Sequence, residues 1–306
     1  MAAGQEDRLW ASFVPDLAVL VAQPTVSRDP GKMPALRECA EWLRARLVRA
    51  GLAGVHVDDE IGPPIVYGEK LVSPDRPTVL VYAHYDVQPA GEGWTGDPFV
   101  MRREGDRVVG RGTLDDKGPL LLQLLALETA LGQTGGLGVN VKMILDGEEE
   151  NGSRLVRELS RRADPRVTAD FALISDTWRL DELTPTLCYG LRGGIRLTVT
   201  VRTGTGDVHS GTFGGSIPNS AAILARLLAT LHDENGRIAV TGFYDDVSEL
   251  TADERTRWAA LPYDEGEYCR LAGTSAAAGE PGYSTYERTW ARPTLEILSL
   301  RAGSGG

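Results

Sequence analysis

Four stretches of this sequence gather side chains that could do chemistry together. His84 and Asp86 lie in "AHYD", Asp115 and Asp116 in "GRGTLDDKG", Asp146, Glu148, Glu149 and Glu150 in "LDGEEENGS", and Asp176 in "LISDT". Carboxylates that converge at low dielectric repel one another unless cations neutralise them. Mixed imidazole and carboxylate donors suit zinc, and several carboxylates suit a two-metal site. Each stretch alone has a plain reading. A histidine at a strand end is more often packed or exposed than a ligand, and paired acids at a helix start serve the cap and macrodipole. The four together point to a metal centre.

Such a centre needs elements that carry these residues to one place. "TVLVYAHYD" (78–86), "VNVKMILDG" (139–147) and "DFALISDT" (170–177) read as strands that turn polar at their C-terminal ends. "KGPLLLQLLALETAL" (117–131) reads as a buried helix, and "GSRLVRELSRRA" as another. Leu36, Cys39, Ala40, Leu43 and Leu47 recur at helical spacing before Gly51. Strands alternating with helices predict an α/β sheet with helices on both faces. Sites in open α/β sheets lie at the carboxyl ends of the strands, where the acids and His84 fall.

The pattern shifts after about Thr184. "TLCYGLRGGIRLTVTVRTG", "RIAVTGFY" and "PTLEILSL" read as strands, and "NSAAILARLLATLHDENG" as a helix. Between them a Gly/Ser-rich loop, "GDVHSGTFGGS", holds His209. A chain of 306 residues favours two domains over one. The net charge of −11 argues against a nucleic-acid partner, which needs a basic surface. No apolar run is long enough for a membrane span, and "MAAGQEDRLWASF" lacks the layout of a secretory signal. Cys39, Cys188 and Cys269 are odd in number and far apart, which predicts buried free thiols in a reducing cytoplasm.

Taken in order, "HYDVQP", "GRGTLDDKGP", "DGEEENGS", "ISD", "GLRGG" and "DVHSGTFGG" resemble the M20 family of zinc metallopeptidases, in particular its dipeptidase branch with the carnosinase-like dipeptidases. The resemblance runs from about Pro24 to about Leu300. It implies an α/β zinc-peptidase domain over residues 1–186. An inserted ferredoxin-like lid and dimerisation domain over 187–306 is implied too, incomplete here. Two zinc ions per subunit are implied, with manganese or cobalt as alternatives.

The resemblance also assigns roles. His84 and Asp176 match ligands of one zinc, Asp115 the bridging carboxylate, and Glu150 a ligand of the other zinc. Asp86 matches the acid that orients the histidine. Asp116 falls at a variable position and is read as a helix-start acid. Glu149 matches the general base, which takes a proton from the zinc-activated water and delivers it to the leaving amine. His209 matches the lid histidine that reaches the partner subunit's site and polarises the substrate carbonyl. The implied function is hydrolysis of dipeptides or short peptides by a cytoplasmic homodimer. Two alternatives stand beside it: hydrolysis of N-acyl amino acids, and a truncated remnant or binding module without catalysis. The second arises because family members continue past this chain into a segment that carries a last zinc-binding histidine, whereas none follows His232 here.

Overall fold

Strand-end chemistry requires parallel strands with aligned ends, and the computed structural model supplies them. It describes residues 3–303 apart from 106, 134–135, 178 and 182–183. The first half runs α1 (Ala3–Val21), α2 (Met33–Arg49), β1 (Ala53–Asp58), β2 (Ile65–Lys70), β3 (Thr78–His84), β4 (Arg102–Glu104), β5 (Arg107–Val109), α3 (Lys117–Leu131), β6 (Asn140–Asp146), α4 (Arg154–Arg161) and β7 (Phe171–Ile174). The main sheet has the order β1-β2-β6-β3-β7, while β4 and β5 form a separate hairpin. β3 lies parallel to both β6 and β7, and β2 is antiparallel to β1 and β6. The register sets His84 opposite Asp146, so the carboxyl ends of β3 and β6 finish level.

Alternation along the strands separates two apolar faces. Val66, Val81, Ala83, Val141, Met143 and Leu145 pack with Leu17 of α1, Leu43 and Leu47 of α2 and Leu120 and Leu124 of α3. Ile65, one residue from Val66, packs instead with Leu155 and Leu159 of α4. Helices therefore cover both faces, as the alternating pattern predicts. Arg46 of α2 joins the three larger helices, pairing with Asp16 of α1 at 2.7 Å and Glu128 of α3 at 2.9 Å. The buried Lys117 donates to the carbonyls of Leu20 at 2.8 Å and Gln23 at 2.7 Å, which satisfies acceptors at the end of α1. Burial pulls its pKa down to about 8.

Contacts divide the chain into two compact units, Met1–Thr186 and Leu187–Gly306. The second contains α5 (Ser210–Phe213), α6 (Ser220–Ala229), α7 (Ala252–Ala259), α8 (Glu265–Ala272) and α9 (Thr285–Trp290). Thr251 with Glu254 and Ser284 with Glu287 form capping boxes that start α7 and α9. Trp290 stacks on Tyr286 and meets Trp258 edge-on, which links α7 to α9. Arg192, the arginine of "GLRGG", donates to the carbonyl of Arg292 at 3.2 Å and acts as a structural tie.

The strands expected in this second half are corrected. Among the described residues of 187–306 the only β pairing is a bridge between His232 and Ile238. "RLTVTV" has the alternation of a strand, but a strand exists only in a ladder. With no ladder partner among the described residues, its Leu197 and Val199 are exposed.

The cysteines also depart in part from expectation. Cys39 and Cys269 are buried but Cys188 is exposed. Burial pushes the Cys39 thiol up to about 12, which suppresses its thiolate. Of the three free cysteines, Cys188 is expected to react rapidly with a thiol-specific reagent in the folded protein, and the others only after denaturation. A time course in buffer against one in guanidinium checks this. Rapid labelling of Cys39 in the folded state would contradict the packing.

Candidate metal centre

His84 closes β3 with a fully buried imidazole. Its Nδ1 lies 3.3 Å from the Asp86 carboxylate and 3.1 Å from the Asp86 carbonyl oxygen. Its Nε2 lies 3.0 Å from Asp115 and 3.4 Å from Asp176. Neither of those two oxygens sits where a ring N–H could donate to it, so Nε2 is buried without a hydrogen bond. Buried polar atoms without a bond demand a physical account. Burial opposes charge on the ring, but the carboxylates of Asp115, Asp176 and Asp86 outweigh it and raise the His84 pKa. The same contact with His84 holds Asp115 below its ordinary value.

Asp115 and Asp116 precede α3 and are joined by a cis peptide bond. The reading of Asp116 as a helix-start acid holds for its position but not for a capping role. It stands at the N-cap of α3 but makes no side-chain cap bond. Its carboxylate is buried and accepts the backbone N–H of His84 at 3.1 Å, while its other oxygen has no partner. Burial is the main reason that its pKa is pushed up to about 7. A carboxyl that bonds the histidine backbone braces β3 against the loop before α3.

The acids of "LDGEEENGS" separate into distinct environments. Asp146 is buried at the end of β6 and accepts from the Glu148 N–H at 2.9 Å and the Tyr82 hydroxyl at 2.9 Å. Glu148 is buried too and pairs with Arg154 at the start of α4. Both are therefore structural acids rather than solvated ones. Glu149 and Glu150 begin a single 3-10 turn, Glu149–Asn151, closed by Gly152 at φ 101°. One oxygen of the buried Asp86 accepts the Glu149 N–H at 3.0 Å, and the other accepts the Glu150 N–H at 3.1 Å. Asp86 thus fixes the turn as well as facing the histidine.

Gly147 lets this turn approach the sheet. A Cβ there would collide with the Tyr85 hydroxyl and the Pro64 carbonyl. Gly147→Ala is expected to cost about 1–3 kcal/mol of stability through overpacking. A denaturant titration reads the change, and an unaltered midpoint would refute the close approach.

His84, Glu149 and Asp176 each offer a ligand atom, and these atoms lie within 4.8 Å of one another. Asp115 joins them through its contact with His84. Burial chiefly raises the Glu149 pKa, with further upward pressure from Glu150, Asp176 and Asp86. The Glu150 carboxylate accepts from Gln88 Nε2 at 2.6 Å. His209 belongs to the second unit, where it caps α5 and its Nδ1 accepts the Gly211 N–H at 3.1 Å. A buried imidazole nitrogen without a hydrogen bond, facing converging carboxylate oxygens, is a donor set that fits a divalent metal ion.

Residues 80–292 match the pattern of Peptidase family M20/M25/M40. The chain belongs to this family. Individual M20 relatives match over nearly all of this chain. Over 314 residues the chain is 33% identical to the Cys-Gly metallodipeptidase dug1 of Schizosaccharomyces pombe, covering 98% of this chain and 66% of that protein. It is 36% identical over 306 residues to the Beta-Ala-His dipeptidase of Rattus norvegicus, covering 94% and 62%. The crystal structure of human carnosine dipeptidase 1 superposes with a TM-score of 0.73 at 30% identity, covering 96% of this chain and 65% of that one. The chain thus spans just under two thirds of the length of these M20 proteins. Among the described residues no helix is long and apolar enough to cross a membrane.

Gln88 lies within "HYDVQP" but received no role from the sequence, and Arg28 and Thr25 were missed; all three touch the loops of the centre. Arg28 Nε donates to the Glu150 carbonyl at 2.9 Å, and Thr25 Oγ1 donates to the Tyr85 carbonyl at 2.6 Å. These contacts join segments far apart in the chain, and no local motif announces them.

Proposed function

We propose that this chain carries the machinery of a zinc-dependent dipeptidase that hydrolyses the peptide bond of dipeptides or short peptides. The observation that carries the proposal is the buried His84 Nε2, without a hydrogen bond, facing Asp115 and Asp176 beside Glu149. His84, Asp115 and Asp176 would hold one ion, and Asp115 and Glu150 would contribute to holding the second. Bound zinc supplies Lewis acidity, lowering the pKa of water and polarising a carbonyl.

The residues of this chain divide the remaining work. Glu149 accepts the proton of the attacking water and returns it to the leaving amine. Burial raises its pKa, which suits that exchange. Asp86 keeps His84 in the orientation that presents Nε2 to the centre and holds Glu149 by its backbone. His209 is assigned to the substrate carbonyl, where a donor stabilises the developing oxyanion. That assignment carries with it a homodimer through residues 187–306.

The test is turnover by the purified polypeptide with added zinc. Cys-Gly and β-Ala-His are offered beside N-acetyl amino acids. Faster cleavage of the dipeptides supports this reading. Preference for the N-acyl amino acids would move the chain to another substrate class, and no turnover of either would remove the catalytic assignment. Asp86→Asn is expected to weaken metal binding about 10–100-fold, as loss of a ligand-orienting partner does. Competition with a chromophoric chelator measures it, and wild-type affinity in the variant would contradict the orienting role.

A further inference from the structure

The buried face of α3 is almost all leucine. Leu120, Leu121, Leu124, Leu125 and Leu127 are buried there, and Gln123 is buried among them. A primary amide in such surroundings is unfavourable unless it is hydrogen-bonded. Gln123 directs its amide to a partner outside the helix: Nε2 donates to the Ser175 hydroxyl at 2.6 Å, 52 residues away. Its Oε1 is buried without a partner, so the side chain does nothing for the polar groups of α3 itself. Ser175 directly precedes Asp176.

Asp176 needs such a hold more than the other donors do. His84 closes a central strand with β6 on one side and β7 on the other. Asp115 stands just before α3, whose Lys117 is anchored on the carbonyls of Leu20 and Gln23 at the end of α1. β7 stands at the end of the sheet order, is four residues long and forms its ladder with β3 alone. That ladder stops at Ile174, opposite Tyr82, and Phe171, Leu173 and Ile174 are exposed. A short, exposed edge strand opens readily. Asp176 lies past the last ladder pair, with its carboxylate 3.4 Å from His84 Nε2. The Gln123 bond falls on the residue that joins ladder to donor. α3 reaches the histidine as well, because its N-cap residue Asp116 accepts the His84 N–H at 3.1 Å. One helix therefore touches the segments of all three donors.

We infer that Gln123 is a positioning residue that holds Asp176 at the His84 site, with α3 as the rigid part that sets the spacing of Asp115 and Asp176. The inference rests on the reading of His84, Asp115 and Asp176 as ligands of one ion, and it needs no second ion. A donor segment fixed before the metal arrives loses less conformational freedom on binding. Without the bond, the end of β7 samples more positions, and the ion meets two fixed donors and a loose third.

The test combines zinc affinity of the whole chain by chelator competition, the visible spectrum of the cobalt-loaded chain, and thermal melts of the metal-free protein. Gln123→Leu suits a leucine-rich helix and is expected to melt at or above the wild-type temperature. It is nevertheless expected to weaken zinc about 10–100-fold and to alter the cobalt bands. Ser175→Ala, at an exposed position, is expected to give the same loss, and Ser175→Thr, which keeps the hydroxyl, to stay near wild type. The two partners act through one bond, so the double variant should bind no more weakly than either single one. In an Asp176→Asn background, Gln123→Leu should have no further effect. Wild-type affinity in either Gln123→Leu or Ser175→Ala overturns the inference. Losses that add in the double variant, or that persist undiminished with Asp176→Asn, overturn it too. A wild-type chain that binds no zinc overturns the one-ion reading and this inference with it, before any variant is made.

Discussion

Glu149→Gln is expected to lower kcat for dipeptide hydrolysis by about 10²–10⁴-fold, the range that a positioned general base contributes. The substitution is nearly isosteric and leaves the backbone N–H that Asp86 accepts at 3.0 Å. It also removes a carboxylate whose pKa is raised chiefly by burial, so the half-buried Glu149 position loses a charge rather than gaining one. Fold and metal content should therefore survive while proton transfer does not. Steady-state kinetics beside metal analysis of the same sample separates these effects. Full activity in the variant would end the assignment of Glu149 as base. Lost activity together with lost metal would instead make Glu149 a ligand, a reading that its place beside His84 and Asp176 makes worth separating.

The second large effect belongs to His84. Its Nε2 is the sole imidazole nitrogen in the converging group, and Asp115 and Asp176 both lie within 3.4 Å of it. His84→Ala is expected to abolish binding of at least one zinc and to lower hydrolysis by about 10³-fold or more, because metal assistance provides several kcal/mol and each 1.36 kcal/mol is a factor of ten. The variant also leaves Asp115 and Asp176 facing a cavity where the imidazole stood, so a thermal melt accompanies the assay. A folded variant that retains wild-type zinc content would remove His84 from the ligand set.

Much of the centre was legible because its residues stand at the ends of strongly patterned elements. The apolar run before His84 and the one before Asp146 form β3 and β6, and the helix expected over 117–131 is α3. Strand ends point to a site because parallel strands align their carboxyl ends. What the sequence hid was contact between distant segments. Nothing in "PTVSRD" shows that Arg28 will meet Glu150, 122 residues away. Nor does "GEEE" show which acids are buried. Asp146 and Glu148 are sorted inward by Tyr82 and Arg154, partners that lie on another strand and on the following helix. β2 escaped notice because "PPIVYGEK" opens on two prolines, and its burial comes from flanking strands on both sides. In the second unit local alternation was read as strand where no ladder partner stands alongside.

The buried carboxylate of Asp86 has one more consequence. It grips two successive amides of the Glu149 turn and faces the His84 ring through bonds internal to the chain. The arrangement of donors is thus preorganised by folding itself. Ions arriving at such a cradle need to order little of the polypeptide, so capture should be governed by desolvation of the ion and by proton release rather than by a slow rearrangement of the protein. The fold works here as a template: one buried side chain ties the histidine strand to the glutamate turn of the candidate centre.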